Sequence, residues 1–302
     1  MKSANMTFQA DDGAEIFYHQ WIPKGKKNIK AAVQIAHGMA EHSKRYSRFA
    51  EALTKEGFAV YANDHRGENV GYFADENGWG IVVEDMRKLT QLIKNNHPDI
   101  PVFLFGHSMG SFLSRNYIFL YGNELQGVIL SGTGGDPGLL GKIGYFVAKR
   151  ESKNKGKKFR SPLLKKLSFG KFNTAFKPNR TEFDWLSRDN AEVDKYVDDP
   201  YCGGDFTAWF YRDLLFGLSV VNNPKNTKMV PKDLPIYLFS GDKDPVGNNT
   251  KGVKQIFNAY QKAGIKDVNC KFYEDGRHEM LNETNREEVF KDVIGWLNDH
   301  MN

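Results

Sequence analysis

Along the chain, short runs of nearly uninterrupted apolar residues alternate with longer stretches in which apolar residues recur at helical spacing. The runs cover 31–37, 58–63, 101–105, 126–131, 235–241 and 267–273. Each is short and apolar on both parities, which predicts strands buried on both faces. The stretches between them, 43–56, 81–96, 111–121, 248–263 and 285–300, predict helices. Gly57 stands where the first of these should stop. Alternation of this kind predicts a mostly parallel, doubly wound α/β sheet with helices on both faces. Before it, residues 6–10 and 14–21 flank Asp11-Asp12-Gly13, a hairpin signal, and a polar turn follows at 23–30.

The alternation stops near residue 134 and resumes near 231. The segment between is neither repetitive nor of low complexity, and it carries its own apolar content. The expected organisation is therefore a core built from 1–133 and 231–302, with 134–230 inserted as a mainly helical lid or cap.

Composition sharpens this only in places. A chain of 302 residues with 40% hydrophobic and 26% charged residues can bury a full core without staples. Its two cysteines, Cys202 and Cys270, form neither a disulfide framework nor a metal-ligand spacing, and they suit a reducing compartment. The first residues lack the apolar stretch of a signal peptide, and no apolar run reaches the length of a membrane span. A cytoplasmic location is the expectation.

Candidate chemistry centres on Gly106-His107-Ser108-Met109-Gly110, between a predicted buried strand and a predicted buried helix. A strand that turns at once into a helix brings backbone close to backbone, which favours glycine at 106 and 110. Ser108 at the apex has its hydroxyl aimed out of the sheet, beside free N–H groups of a helix N-terminus. This is the context of a nucleophile elbow. A serine hydroxyl needs a base and a carboxylate behind the base. Such groups come from loops at the carboxyl ends of strands. Among the histidines, only His278 lies between the last strand and the last helix. After the strand ending at Gly241, Asp244 is the expected carboxylate, and Asp242 is expected to hydrogen-bond the backbone of its own turn.

With these residues in place, the chain resembles the α/β-hydrolases, and within them the group of monoacylglycerol lipases and bacterial lysophospholipases, whose relatives are also described as serine aminopeptidase-like. The likeness rests on the elbow, on His37-Gly38-Met39-Ala40-Glu41-His42-Ser43 with Arg45-Tyr46, on Asp64-His65-Arg66-Gly67, on Gly241-Asp242-Lys243-Asp244 and on Gly276-Arg277-His278. Leu186-Ser187-Arg188-Asp189 and Tyr196-Val197-Asp198-Asp199-Pro200 extend it into the insertion. The order Ser, Asp, His is the one that fold uses. The resemblance implies a carboxylester hydrolase in which Ser108, His278 and Asp244 form the triad and an acyl-enzyme is made. It implies that the backbone N–H groups of Met39 and Met109 meet the oxyanion, and that no metal or organic cofactor is required. The implied substrate is a small-molecule lipid ester, a monoacylglycerol or lysophospholipid. A short-chain esterase, a thioesterase or an aminopeptidase on the same machinery is the alternative; for the last, the acidic run from Glu182 to Asp205 could hold a free amine. One departure stands out: the family continues Asp-His-Arg-Gly with a second His-Gly and a loop of small residues, whereas here Glu68-Asn69-Val70-Gly71 follows. That stretch is expected to alter one wall of the mouth.

Glu41 and Arg45, spaced i,i+4, are expected to pair and support the oxyanion loop. Glu41 and His42 are adjacent and do not converge on one ion. Cys202 is expected to be a buried structural thiol. Trp209, Phe210, Leu214, Leu215, Phe216 and Leu218 either line an acyl site or pack the insertion on the core. Charge is uneven: from 142 to 180 there are thirteen Lys or Arg against one acid, Glu151, in a chain of net charge +5. Leu139, Leu140, Ile143, Phe146 and Val147, then Leu163, Leu164 and Leu167, interleave with these cations at helical spacing. That combination suits peripheral contact with an anionic membrane. No nucleic-acid module is recognisable, and nothing in the sequence points to a particular oligomeric state.

Overall fold

The apolar runs become the strands of one sheet. The computed structural model describes residues 1–24, 29–67 and 70–301. Among these, the strands are β1 (Lys2–Gln9), β2 (Glu15–Ile22), β3 (Ala31–Ala36), β4 (Phe58–Asn63), β5 (Val102–His107), β6 (Gly127–Ser131), β7 (Ile236–Gly241) and β8 (Val268–Tyr273). They lie in the order β1-β2-β4-β3-β5-β6-β7-β8. The pairs β1–β2 and β2–β4 are antiparallel, and every pair from β4 onward is parallel. The carboxyl ends of β5, β6, β7 and β8 therefore share one edge.

Helices α1 (Ser47–Lys55), α2 (Gly78–Asn96), α3 (Met109–Tyr121) and α9 (Lys251–Lys262) connect the strands, and α10 (Arg286–Asp299) follows the last of them. Successive strand residues feed opposite layers, as the pleat demands. Phe103, Phe105 and Phe239 pack with Phe49 of α1 and Phe290 of α10. Leu104, Leu130 and Leu238 pack with Val83 of α2, Leu113 of α3 and Val253 of α9. Between β6 and β7 the chain runs through α4 (Gly138–Lys155), α5 (Pro162–Phe169), α6 (Asn190–Asp198), α7 (Ala208–Val221) and α8 (Pro224–Thr227). Ala148 of α4, Leu164 of α5 and Phe210, Tyr211 and Val221 of α7 join the same cluster as Trp79 and Leu113, so these three helices share a core with the sheet.

Several boundaries differ from those read in the sequence, each for a local reason. β1 starts at Lys2 because residues 2–7 continue the backbone pairing with β2 although they face solvent, so no buried apolar pattern marks them in the sequence. The helix expected over 43–56 opens as a 3-10 turn at Ser43–Tyr46, since Ser43 gives both its N–H (2.8 Å) and its hydroxyl (2.6 Å) to Asp64. Gly57, at φ +93°, ends α1 as expected. α9 starts three residues after the expected 248, because Asn248, Asn249 and Thr250 all adopt positive φ. The polar turn at 23–30 includes 25–28, which lie outside the described residues.

Candidate active site

Ser108 joins β5 to α3 at φ +51° and ψ −120°, a backbone state that residues with a Cβ rarely adopt. The turn is held from both sides. Ser108 N–H donates to the Ser131 carbonyl at 2.9 Å, and Ser111 returns both its N–H (2.9 Å) and its hydroxyl (2.6 Å) to the Ser108 carbonyl. A Cβ on Gly110 would run into the Ala36 carbonyl, and one on Gly106 into the Gly110 carbonyl. Ser108 itself stays half-exposed. Met109 follows as the first residue of α3, where an N–H has no acceptor within the helix.

Two strands along, the turn after β7 buries Asp244 completely, and the connection from β8 to α10 brings His278 onto it. His278 Nδ1 lies 3.0 Å from each carboxylate oxygen of Asp244. Those oxygens are also fixed by Val246 N–H (2.9 Å) and the Ser240 hydroxyl (3.2 Å). Burial would lower the His278 pKa, but the Asp244 charge outweighs it and holds the imidazole above its ordinary value. The ring is boxed in by Trp185 at 5.1 Å and His107 at 4.7 Å between centroids, with Gly132 beneath. His107, beside Ser108, is pushed down to about 4 by burial and then by the neighbouring His278. Asp242 does not hydrogen-bond its turn through its side chain, contrary to expectation. One of its oxygens meets Lys243 at 3.1 Å and the other has no partner, because Asp244 already takes the turn's Val246 N–H.

The loop 37–43 lies against the elbow: a Cβ on Gly38 would sit 3.2 Å from that of Ser108. Met39, the next residue, is partly buried on the core. Glu41 Oε1 accepts from Gly38 N–H (2.6 Å) and the Tyr46 hydroxyl (2.8 Å), and Arg45 holds its other oxygen at 2.6 Å. The pair read from the i,i+4 spacing is present, and Glu279 extends it. Arg45 donates to both Glu279 oxygens at 2.7 Å. Burial would raise the Glu41 and Glu279 pKa values, and Arg45 reverses this and keeps both below the ordinary carboxylate range. Beneath the loop, His37 donates through Nδ1 to the Gly38 carbonyl (2.8 Å) and accepts His65 N–H at Nε2 (2.9 Å). That pattern needs a neutral imidazole, and burial lowers the His37 pKa accordingly. A cavity of about 20 Å³, room for a single water, opens between Glu41, Arg45, Tyr46, His107 and Glu279.

Ser108, Asp244 and His278 thus stand along one sheet edge with the loop of Met39 beside them. Glu279 and Trp185 were not singled out in the sequence. Glu279 directly follows His278, and a carboxylate next to the expected base is the one local signal for it. Trp185 precedes Leu186-Ser187-Arg188-Asp189, but nothing local shows that it meets His278. Cys202 is half-buried, and burial pushes its thiol pKa up. Phe210 is core packing, while Phe216 is exposed. Of the unusual stretch 68–71, Glu68 and Asn69 lie outside the described residues. Gly71, at φ +66°, accepts Thr207 N–H (3.1 Å) and hydroxyl (2.6 Å).

Parallel strands that deliver a strained serine, a buried aspartate and a histidine to one edge are the architecture of the α/β hydrolases, and the chain has that fold. A family model described as serine aminopeptidase, S33, matches residues 27–285, and the chain belongs to that family of serine hydrolases. It is 29% identical to the monoacylglycerol lipase of Mycolicibacterium smegmatis, over 98% of this chain and 97% of that one. Against the monoglyceride lipase of Rattus norvegicus it is 26% identical, over 95% of this chain and 86% of the other. The crystal structure of a highly thermostable carboxyl esterase from Bacillus coagulans, in complex with glycerol, matches the whole of both chains with a TM-score of 0.92 and 28% identity. No helix among the described residues is long and apolar enough to cross a membrane.

Proposed function

We propose that the protein hydrolyses lipid esters of the monoacylglycerol or lysophospholipid type through a Ser108–His278–Asp244 triad. The chain is a carboxylic ester hydrolase, and its relatives named for monoacylglycerol support a lipid ester as substrate. The observation that carries the triad is His278 Nδ1 held 3.0 Å from both oxygens of a fully buried Asp244, on the sheet edge that also presents Ser108. With Nδ1–H given to Asp244, Nε2 is left as the base. Ser108 Oγ bonds to the ester carbonyl carbon as its proton passes to His278. The tetrahedral intermediate collapses, and the same proton leaves with the alcohol. Water then repeats the sequence on the acyl-enzyme. The oxyanion meets Met39 and Met109 N–H, each such donor contributing ~3 kcal/mol of barrier lowering. No metal or organic cofactor enters these steps.

The acyl chain lies against the aromatic wall beside His278. Trp185 packs there with Phe169, Phe172 and Val246. Segment 134–230 acts as the cap over it. An aminopeptidase reading is less well supported. Six of the eight acids of the run, Asp184, Asp189, Glu192, Asp194, Asp199 and Asp205, are each engaged by a neighbouring donor or cation, and the other two, Glu182 and Asp198, are exposed. The two free cysteines suit a cytoplasmic location. A panel of chromogenic esters of increasing acyl length, beside amino-acid amides, tests the reading. Turnover rising towards medium and long acyl chains is expected, and turnover confined to the amides would refute it.

A further inference from the structure

His42, Asp199 and Cys202 are far apart in sequence, yet their ligating atoms lie within 4.8 Å of one another. We propose that these three side chains bind a thiophilic divalent cation, with zinc the ion that the donor set suits. One imidazole, one carboxylate and one thiolate are all established zinc donors, and three protein ligands leave a fourth position for water. At bond lengths of 2.0–2.3 Å, tetrahedral donors sit roughly 3.3–3.8 Å apart. His42 Nε2 and Asp199 Oδ2, now 2.9 Å apart, must part by less than about an ångström, and the sulfur, within 4.8 Å of both, must close in by at most about 1.5 Å.

The surroundings favour this. Asp199 already spends Oδ1 on Tyr201 N–H at 2.9 Å, which leaves Oδ2 directed at the cluster. Cys202 N–H donates to the Asp199 carbonyl at 3.0 Å, closing the turn that carries both ligands. All three residues are half-buried, so an ion can enter without unfolding the site. Carboxylate and thiolate supply two negative charges, which a divalent cation neutralises. The nearby Arg45 charge is already taken by Glu41 and Glu279. On coordination the Cys202 S–H proton goes to solvent and the sulfur pair to the metal; the His42–Asp199 hydrogen bond breaks, the Nε2 proton that made it is given up so that the imidazole keeps its one proton on Nδ1, and Nε2 and Oδ2 turn to the ion. Occupancy would tie α6's following turn to His42. Gly203 N–H (3.0 Å) and the Tyr196 hydroxyl (2.8 Å) already bind that turn to the Ala40 carbonyl, one residue from Met39.

Cobalt(II) titration of the full chain tests the proposal without reference to hydrolysis. One equivalent should bind with a thiolate-to-cobalt charge-transfer band, displaced by zinc. The band should vanish in Cys202→Ser and persist in Cys270→Ser. His42→Ala and Asp199→Asn should each weaken binding by at least ~10-fold, and zinc should raise the melting temperature of the parent but not of Cys202→Ser. A band that survives Cys202→Ser, affinity unchanged in both His42→Ala and Asp199→Asn, or no saturable binding by the folded parent overturns it.

Discussion

Arg45 grips Glu279 with two parallel hydrogen bonds of 2.7 Å, and one of the same nitrogens holds Glu41 at 2.6 Å. Glu279 follows His278 in sequence, and Glu41 anchors Gly38 N–H in the loop that carries Met39. One cation therefore sets the distance between the loop proposed to meet the oxyanion and the loop proposed to supply the base. Bidentate geometry makes arginine irreplaceable by lysine here. Tyr196 closes the arrangement, its ring 4.8 Å from the guanidinium and its hydroxyl on the Ala40 carbonyl.

Removing that cation leaves two buried carboxylates without compensation. Arg45→Met is expected to cost ~3–5 kcal/mol of stability near neutral pH, the range for breaking a buried ion pair. Both folded carboxyl pKa values are held below their unfolded ones, so the contribution is complete above about pH 4.3 and fades as pH falls through the folded values. The deficit of Arg45→Met should accordingly shrink in acid. Urea denaturation at neutral and acid pH measures both, and a deficit independent of pH would contradict the charge argument.

Ser108→Ala should abolish ester turnover while leaving the circular dichroism spectrum and melting curve close to the parent. Asp244→Asn should lose roughly 10⁴-fold in kcat, because the amide favours the wrong tautomer. Asp242→Asn should lose little, since Asp242 touches Lys243 and not His278. Steady-state kinetics on a short soluble ester decides this, and the reverse ranking of the two aspartates would exchange their roles.

The pH profile carries a sign that separates catalysis from stability. Hydrolysis needs neutral His278, whose pKa the Asp244 charge holds above the ordinary value despite burial. The acid limb of kcat/KM should therefore lie above pH 6.5. Asp244→Asn should move that limb of the residual activity to lower pH, since burial then acts unopposed. For folding the direction is opposite: the His278–Asp244 attraction stabilises fully below about pH 6.5 and is lost as pH rises through the folded value. A limb that stays put in Asp244→Asn would show that another group controls it.

What the chain discloses by itself follows from how local each signal is. β3, β4, β5 and β7 are buried at every position, and such strands announce themselves as unbroken apolar runs. The elbow is legible because Gly106, Ser108 and Gly110 occupy one turn whose crowding only glycine tolerates. Asp244 and His278 are legible as residues at strand ends. Contacts made across the fold are not. Trp185 meets the His278 ring from the insertion, Arg45 reaches Glu279 across 234 positions, and His42 meets Asp199 across 157. Backbone states without a compositional signature are hidden too: Asn248, Asn249 and Thr250 read as a helix start but turn left-handed.

The basic insertion presents its own test. In α4, Gly144, Ala148 and Ser152 are buried at four-residue spacing, which turns the opposite face to solvent. That face carries Leu139, Ile143 and Phe146, of which Leu139 is 72% and Phe146 67% exposed, together with Lys142, Lys149, Arg150 and Lys153. Leu140, at the start of the helix, is 79% exposed, and Leu163 and Leu167 of α5 are exposed as well. An apolar stripe rimmed by cations, exposed on the inserted segment itself, suits docking on an anionic bilayer, each cation contributing on the order of 1 kcal/mol near such a surface. Lys155, Lys157 and Lys158, in the middle of the basic tract, are spent on contacts within the fold. Lys155 pairs with Glu151, Lys157 bonds the Asp75 carbonyl and Lys158 lies over Tyr72. Charge reversal of Lys142, Lys149 and Lys153 should weaken co-sedimentation with anionic vesicles, as should raised salt, while leaving turnover of a small soluble ester unchanged. Phe146→Ser should weaken it further in a salt-independent way. Equal binding to anionic and neutral vesicles, unmoved by salt or by these substitutions, would leave the stripe as surface without a membrane role.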